Sequence, residues 1–342
     1  MLKTLQIIVA LFAWLYAGVI AFWLIWHQRY GDTIWWLALV NSFAPFLFAP
    51  LVLLLPVGFF VRTRAFWLGL ALPIGLFLFF YGALFLPQWL PTHVATPKPL
   101  KIMTFNIWGE SHSLETARVI LQNDLPDIVA VQELSSGMFK HIMETAGQFY
   151  PYYIFDRGSG DEGLAVFSRY PLTKLTSKHF SDPGWQIQFM RVQVGERTFI
   201  LYNCHPRSSN ILRYLRDSRS VSYEVTRSFA MRALLAEQLM DDIVERPEPI
   251  LVVGDFNSTP QSDVYKILRA KLLDSQQEVG WGLGHTYPAQ LTAFRQLPLF
   301  PRLIRIDMIL HSPGFVALDN HLSLAHGESD HLPVIAELAW KQ

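Results

Sequence analysis

The sequence predicts transmembrane helices followed by an α/β domain of the sandwich kind, and three observations carry that prediction. Long uncharged apolar runs fill most of the first 86 residues. Beyond residue 98, short β-branched runs alternate with stretches of helical spacing. Those short runs repeatedly end on Asn, Glu, His or Asp.

About half of the 342 residues (51 %) are apolar and the mean hydropathy is +0.24, greasier than an ordinary soluble chain. Residues 5–26, 35–60 and 66–86 contain no charged side chain. Each run reaches the roughly 20 residues that a helix needs to cross a bilayer core. Trp23, Trp26, Tyr30, Trp35, Trp36, Trp67 and Trp89 stand near their ends, where interfacial aromatics belong. A cleaved signal peptide is the rival for the first run, but its length and two successors favour a retained span. Asn41, Ser42, Pro45, Pro50 and Pro56 interrupt the middle run, so it is either a kinked helix or a re-entrant pair.

With three spans, the loop carrying Arg62 and Arg64 lies on the same side as Lys3, the cytoplasmic side by the positive-inside rule. The C-terminal domain is then extracytoplasmic, and the chain is a multi-pass protein of the cell membrane with the bilayer as partner. Pro91, Pro97 and Pro99 make residues 91–99 a short, stiff linker. The expected division is a membrane domain over 1–90, the linker, and a folded domain over 100–342. That domain is slightly acidic: residues beyond 97 hold 24 of the 28 Lys and Arg but 27 of the 28 Asp and Glu. A chain that grips long nucleic acid without sequence preference usually carries a basic footprint, and this one does not. The lone cysteine, Cys204, excludes an intramolecular disulfide.

In the folded domain, Lys101, Ile102 and Met103 open a strand that closes on Thr104, Phe105 and Asn106. Leu114, Ala117, Ile120 and Leu121 then recur at helical spacing, ahead of Pro126. A second strand over 127–131 delivers Gln132 and Glu133. Residues 163–168, 189–194 and 196–203 read as further strands, short and in series, which suggests antiparallel pairing. The last of them leads to His205. Residues 226–245 form the clearest long helix, with Phe229, Leu234, Leu235, Leu239 and Ile243 available for a buried face. Strands resume at Ile250, Arg305 and Leu332.

The run Ile250, Leu251, Val252, Val253 ends in Gly254, Asp255, Phe256 and Asn257. Two residues apart on an extended chain, Asp255 and Asn257 face the same side and suit a phosphate or an activated water. A simple turn is the alternative, because Ser258, Thr259 and Pro260 follow.

Taken in order, Asn106, Glu133, His205, Asp255 with Asn257, Asp307, and Asp330 with His331 resemble the endonuclease/exonuclease/phosphatase superfamily, the deoxyribonuclease I-like phosphohydrolases, in a membrane-anchored member of bacterial type. The resemblance covers residues 98–340. It implies a four-layer α/β/β/α sandwich with the active site at one edge. It also implies roles for these residues. Glu133 is the metal ligand, with Asn106 beside it and Asp330 a second ligand, and the metal is Mg²⁺ or Mn²⁺. Asp255 orients or deprotonates the attacking water, and Asn257 bonds the phosphate or Asp255. His331 donates to the phosphate or acts as an acid, with Asp307 fixing its tautomer. His205 is a general acid or phosphate-binding group.

Arg207, Arg213, Arg216, Arg219, Arg227 and Arg232 follow closely and form either an anionic-substrate patch or a solvated face. His285, Thr286 and Tyr287 match a family strand start before Asp307. The function expected is a metal-dependent phosphoesterase acting on a phosphodiester or phosphomonoester. The anchor and the non-basic domain favour a lipid or other membrane-proximal substrate over nucleic acid. An extracytoplasmic nuclease is the alternative, and a noncatalytic membrane sensor that uses the cleft for binding is a third reading of another class.

Overall fold

The computed structural model describes residues 2–86, 98–109, 113–122, 125–158, 162–180, 187–209, 220–289 and 302–341. Most of the expected linker, together with Trp89, Arg213, Arg216 and Arg219, lies outside the described residues.

Among the described residues the N-terminal part holds four α-helices: α1 (Leu2–Tyr30), α2 (Trp35–Ser42), α3 (Pro50–Val61) and α4 (Arg64–Tyr81). Three segments, Lys3–Tyr30, Ala44–Val61 and Arg64–Phe85, are long and apolar enough to cross a membrane. Small residues let α1 and α4 approach closely: a Cβ on Gly69 would sit 3.0 Å from the Ala13 backbone. Gln6 Nε2 donates to Val61 O at 3.1 Å. Lys3 and the turn of Arg62 and Arg64 therefore share one end of the bundle.

The middle apolar run, expected as a kinked helix or a re-entrant pair, is broken, and only its later part, Ala44–Val61, is long enough to cross. Its first third is α2, which ends at Asn41 and Ser42; a 3₁₀ turn over Ala44–Phe48 follows, and Pro50 opens α3. The reason is that α2 has another partner. Ala38 and Leu39 pack on Val221, Val225 and Phe229 of the C-terminal domain.

That domain runs β1 (Leu100–Asn106), α5 (Leu114–Gln122), β2 (Ile128–Gln132), α6 (Ser136–Ala146), β3 (Tyr152–Arg157), β4 (Gly163–Ser168), β5 (Leu172–Lys174), β6 (Ile187–Val194) and β7 (Arg197–Cys204). It continues with α7 (Val221–Val244), β8 (Ile250–Asp255), α8 (Asp263–Arg269), β9 (Leu273–Asp274), α9 (Ser275–Val279), β10 (Asp307–His311), β11 (Phe315–Leu322) and β12 (Val334–Trp340). Two six-stranded sheets form, ordered β11-β12-β1-β2-β4-β3 and β5-β6-β7-β8-β10-β9. The pairs β1·β2 and β7·β8 are parallel. A parallel neighbour needs a crossover, and α5 and α7 supply them.

Period-2 alternation builds the layers. Ile102, Leu251 and Val253 point into the core between the sheets, with Val166, Leu201 and Ile309. Met103 and Phe105 face outward onto α5 and α6. On the other side Ile250 and Val252 face α7 and α8 through Leu239 and Val264. The result is the four-layer α/β/β/α sandwich.

Several boundaries and one side chain depart from expectation; the long helix α7 begins at Val221 rather than Thr226. β10 begins at Asp307 rather than Arg305, because Arg305 turns inward to pair with buried Asp274. The last strand begins at Val334 rather than Leu332. Leu234 is 44 % exposed. Five residues beyond Phe229, it sits about 140° around the helix from it, off the buried stripe.

Candidate active site

Strand direction gathers the site. The parallel strands β1 and β2 end at the same edge as β7 and β8, and the antiparallel β10 begins there, with Asp307 opposite Asp255 in register. His331 enters from the turn before β12. Six chain segments thus bring Asn106, Glu133, His205, Asp255, Asn257, Asp307 and His331 together.

Asp255 lies at the centre and is 1 % exposed. Its Oδ1 accepts from the backbone N–H of Asn257 at 2.8 Å, and its Oδ2 accepts from Asn106 Nδ2 at 3.0 Å. The same Asn106 amide donates to Glu133 Oε1 at 2.9 Å, so one carboxamide spaces two carboxylates. Asn106 Oδ1 is engaged by the Trp108 N–H at 3.0 Å, so in this orientation Asn106 presents its amide, not its oxygen, to the centre. Glu133 Oε2 accepts from Gly109 N.

Two histidines flank this pair. His205 Nε2 stands 3.3 Å from Glu133 Oε1 and 3.6 Å from Asp255 Oδ2. His331 Nδ1 lies 2.9 Å from Asp307 Oδ2, which turns its Nε2 toward Asp255 Oδ2 at 3.8 Å. Asp330 is at the rim, its Oδ1 3.9 Å from His331 Nε2. Asn257 Nδ2 donates to Pro206 O at 3.0 Å, which ties the loop after β7 to the loop after β8.

Electrostatics follow from this packing. Burial pushes the Glu133 carboxyl up, but hydrogen bonding and charge from His205, with the Asn106 and Gly109 donors, outweigh it and hold it at about 2. Burial and the Asp307 charge raise Asp255 against the pull of both histidines. For His331, burial favours the neutral ring, yet the Asp307 and Asp255 carboxylates win and favour imidazolium. Burial also opposes charge on His205, and Glu133 and Asp255 again reverse it.

Backbone strain is concentrated here. Glu133 and Asn257 both adopt left-handed φ, 55° and 48°, a region that costs a non-glycine residue free energy and persists where the surroundings enforce it.

The donor set suits a hard divalent cation. Glu133, His205 and Asp255 offer ligand atoms within 4.8 Å of one another, as do Asp255, Asp307 and His331. Asp307 Oδ1 is buried with no hydrogen-bond partner among the described residues.

Residues 103–331 match the model of the Endonuclease/Exonuclease/phosphatase family. The chain belongs to that family. Solved structures with the same fold include zebrafish (D. rerio) TDP2 in complex with a single-strand DNA product, with a TM-score of 0.54 and 17 % identity over 70 % of this chain and 98 % of that one. A mannosyl-6-phosphatase of Bacteroides thetaiotaomicron superposes with a TM-score of 0.51 and 19 % identity, covering 70 % of this chain and 100 % of that one. At such identities the likeness establishes the fold alone.

Among relatives in sequence, carbon catabolite repressor protein 4 homolog 3 of Arabidopsis thaliana is 29 % identical over 181 residues, 49 % of this chain and 37 % of that protein. A Caenorhabditis elegans protein assigned by name to the neutral sphingomyelinases is 22 % identical over 222 residues, 55 % of this chain and 47 % of that one. The chain spans between 37 % and 58 % of the length of the curated relatives it matches. Endonuclease/Exonuclease/phosphatase proteins are hydrolases of phosphate esters that work with divalent metal, and the chain carries their fold.

Some neighbours of this family site are not legible in the sequence. The Tyr287 ring lies 4.8 Å from that of His331, centroid to centroid. Trp108, left-handed at φ 59°, holds Asn106 Oδ1 through its backbone N–H. An aromatic two residues past a polar strand end is the only sequence signal for it. Arg232 reverses the expectation of a surface patch. It is 2 % exposed, donates to Arg207 O at 3.1 Å and Ser209 Oγ at 3.0 Å, and so props the loop after His205 from inside. Arg207 and Arg227 remain at the surface.

Proposed function

We propose that the chain is a membrane-anchored, Mg²⁺-dependent phosphoesterase, with Mn²⁺ as an alternative ion, and that its substrate is a lipid or another phosphate ester held close to the bilayer. The observation that carries the proposal is Asp255 set between His205 and His331 beside Glu133, at the strand end from which a loop runs on to the apolar bundle. Thr259, four residues on, reaches Asn41 O at 3.5 Å, and Asp263 and Asp32 exchange backbone N–H to carboxylate bonds at 2.7 Å in both directions. The same reading takes residues 1–90 as membrane domain, 91–99 as linker and 100–342 as catalytic domain. Lys3, Arg62 and Arg64 at the bundle end away from the sandwich support an extracytoplasmic position for it.

The residues divide the work. Asp255 accepts the proton of the attacking water, and Asn257 holds that carboxylate through its backbone N–H. His331, kept in one tautomer by Asp307, donates from Nε2 to the phosphoryl or leaving oxygen. His205 lies where it can bond a second phosphoryl oxygen. A divalent ion at Glu133, with Asp330 at the rim and Asn106 orienting the carboxylates, would supply charge neutralisation for the phosphoryl group and leaving oxygen.

The test is headgroup release from phospholipid in mixed micelles by the full-length protein, in Mg²⁺ and then in EDTA, beside Asp255→Asn. Release abolished by EDTA and reduced about 10²- to 10⁴-fold by the substitution is expected. No release from lipid, together with metal-dependent nicking of plasmid, would replace the lipid reading with the nuclease one. That second reading draws on a protein of the same fold bound to single-strand DNA, a likeness of fold and not of substrate.

A further inference from the structure

Where the bundle meets the sandwich there is a cavity of about 340 Å³, separate from the catalytic residues and unused by the mechanism. Its volume falls within the range of small-molecule sites. One part of its wall is apolar: Pro45, Phe79, Phe80, Leu84 and Leu283. Phe79 is 78 % exposed on the outside of the bundle, so the cavity reaches the surface that faces lipid tails. The opposite part is cationic. Lys266, Arg269 and Arg305 line it with two histidines, and among the described residues no Asp or Glu does.

The three cations are not equivalent. Arg305 is neutralised by Asp274 in a buried pair. Lys266 has only an exposed contact with Asp263 at 3.1 Å, the kind worth little in water. Arg269 donates to Leu272 O, and no carboxylate lies within 4 Å of it among the described residues. Arg269, and Lys266 beyond that weak exposed contact, therefore remain to be answered from within the cavity or from solvent.

Height decides the kind of ligand. The third apolar segment ends at Phe85, so Phe79, Phe80 and Leu84 stand near the end of a span, at headgroup level. A free anion would leave the apolar wall unfilled, and a neutral lipid would leave Arg269 and Lys266 unanswered.

We infer that this cavity is a noncatalytic site for an anionic phospholipid, its phosphate against Lys266 and Arg269 and its chains along Phe79 and Leu84. Occupancy would be felt at the active site. Thr259 and Gln261 of the cavity wall follow Asn257, and Ile304 and Arg305 precede Asp307. The inference rests on the membrane reading of the bundle but not on hydrolysis, and a binding assay keeps the two apart.

The experiment is native mass spectrometry of the full-length protein in neutral detergent with palmitoyl-oleoyl phosphatidylglycerol, phosphatidylcholine of the same chains, or inorganic phosphate. Phosphatidylglycerol should be retained in preference to phosphatidylcholine. Lys266→Gln with Arg269→Gln, both at or near the surface, should weaken it roughly 30-fold, at about 5-fold per cation. Leu283→Trp, which narrows the apolar part without changing charge, should weaken it too, whereas Asp255→Asn should not. Equal retention of the two lipids, or undiminished binding in the double variant, would overturn the site. Displacement of phosphatidylglycerol by equimolar inorganic phosphate would overturn its assignment to lipid.

Discussion

His331 and Asp307 show how one contact sets a residue's chemistry. The Asp307 carboxylate on Nδ1 leaves Nε2 turned toward Asp255, the atom the proposed acid role uses, and its charge is the largest influence holding the ring protonated against burial. Asp307→Asn removes that charge and keeps the shape. The His331 pKa should fall, so the alkaline limb of the kcat profile should move to lower pH and kcat at neutral pH should drop about 10²-fold or more. A pH–rate profile with its alkaline limb unmoved would contradict the acid role. At Glu133 and Asn257 the decisive quantity is the backbone: both are left-handed, so their side chains leave the strand ends at angles that regular strand would not permit.

Among the elements, β7 and β8 carry the tightest requirement. Gly254 sits opposite Cys204 in the parallel register, with φ of +139°. A Cβ there would lie 1.9 Å from Cys204 O, a backbone atom that cannot yield without breaking the pairing that delivers His205 and Asp255. Gly254→Ala should cost about 3 kcal/mol or more and lower the thermal midpoint, with activity lost alongside. An unchanged melting curve would show that the strand end has more room than this. The helix α2 teaches a different lesson. By hydropathy it belongs to a span, yet Ala38 and Leu39 are spent on α7, and the segment long enough to cross begins at Ala44.

Across the whole molecule, bundle and sandwich are joined by polar contacts that sequence separation hides. Asn41 Nδ2 donates to Asp32 Oδ1 at 2.9 Å and to Gly31 O, and Asn41 Oδ1 meets Trp23 Nε1 at 3.1 Å. Asp32, in turn, is bonded to Asp263. Burial lifts the Asp32 carboxyl from 3.8 to about 6 despite these donors. A folded-state pKa above the unfolded one gives stability that is present below about pH 4 and lost as pH rises to 6, here about 3 kcal/mol. Asp32→Asn keeps one of the carboxylate's hydrogen bonds and abolishes the titration. Thermal unfolding in detergent between pH 4 and 7 should therefore show a steeper loss of stability in the wild type than in Asp32→Asn, and parallel curves would count against a buried carboxylate at this junction.

The sequence by itself determined the apolar segments, the alternation that makes two sheets with helices outside, and the order of polar residues at strand ends. These are local properties, written in runs and periods of a few residues, and the family's motifs occupy strand ends that periodicity already marks. Only the tertiary structure decided which carboxylates face His205, that Arg232 is an internal prop rather than a surface patch, and that Tyr287 and Trp108 border the site. It also decided that α2 and Asp32 belong to the junction with the sandwich. Each depends on contacts between residues far apart in the chain, Asp32 and Asp263 above all, and no spacing within a single segment encodes such a distance.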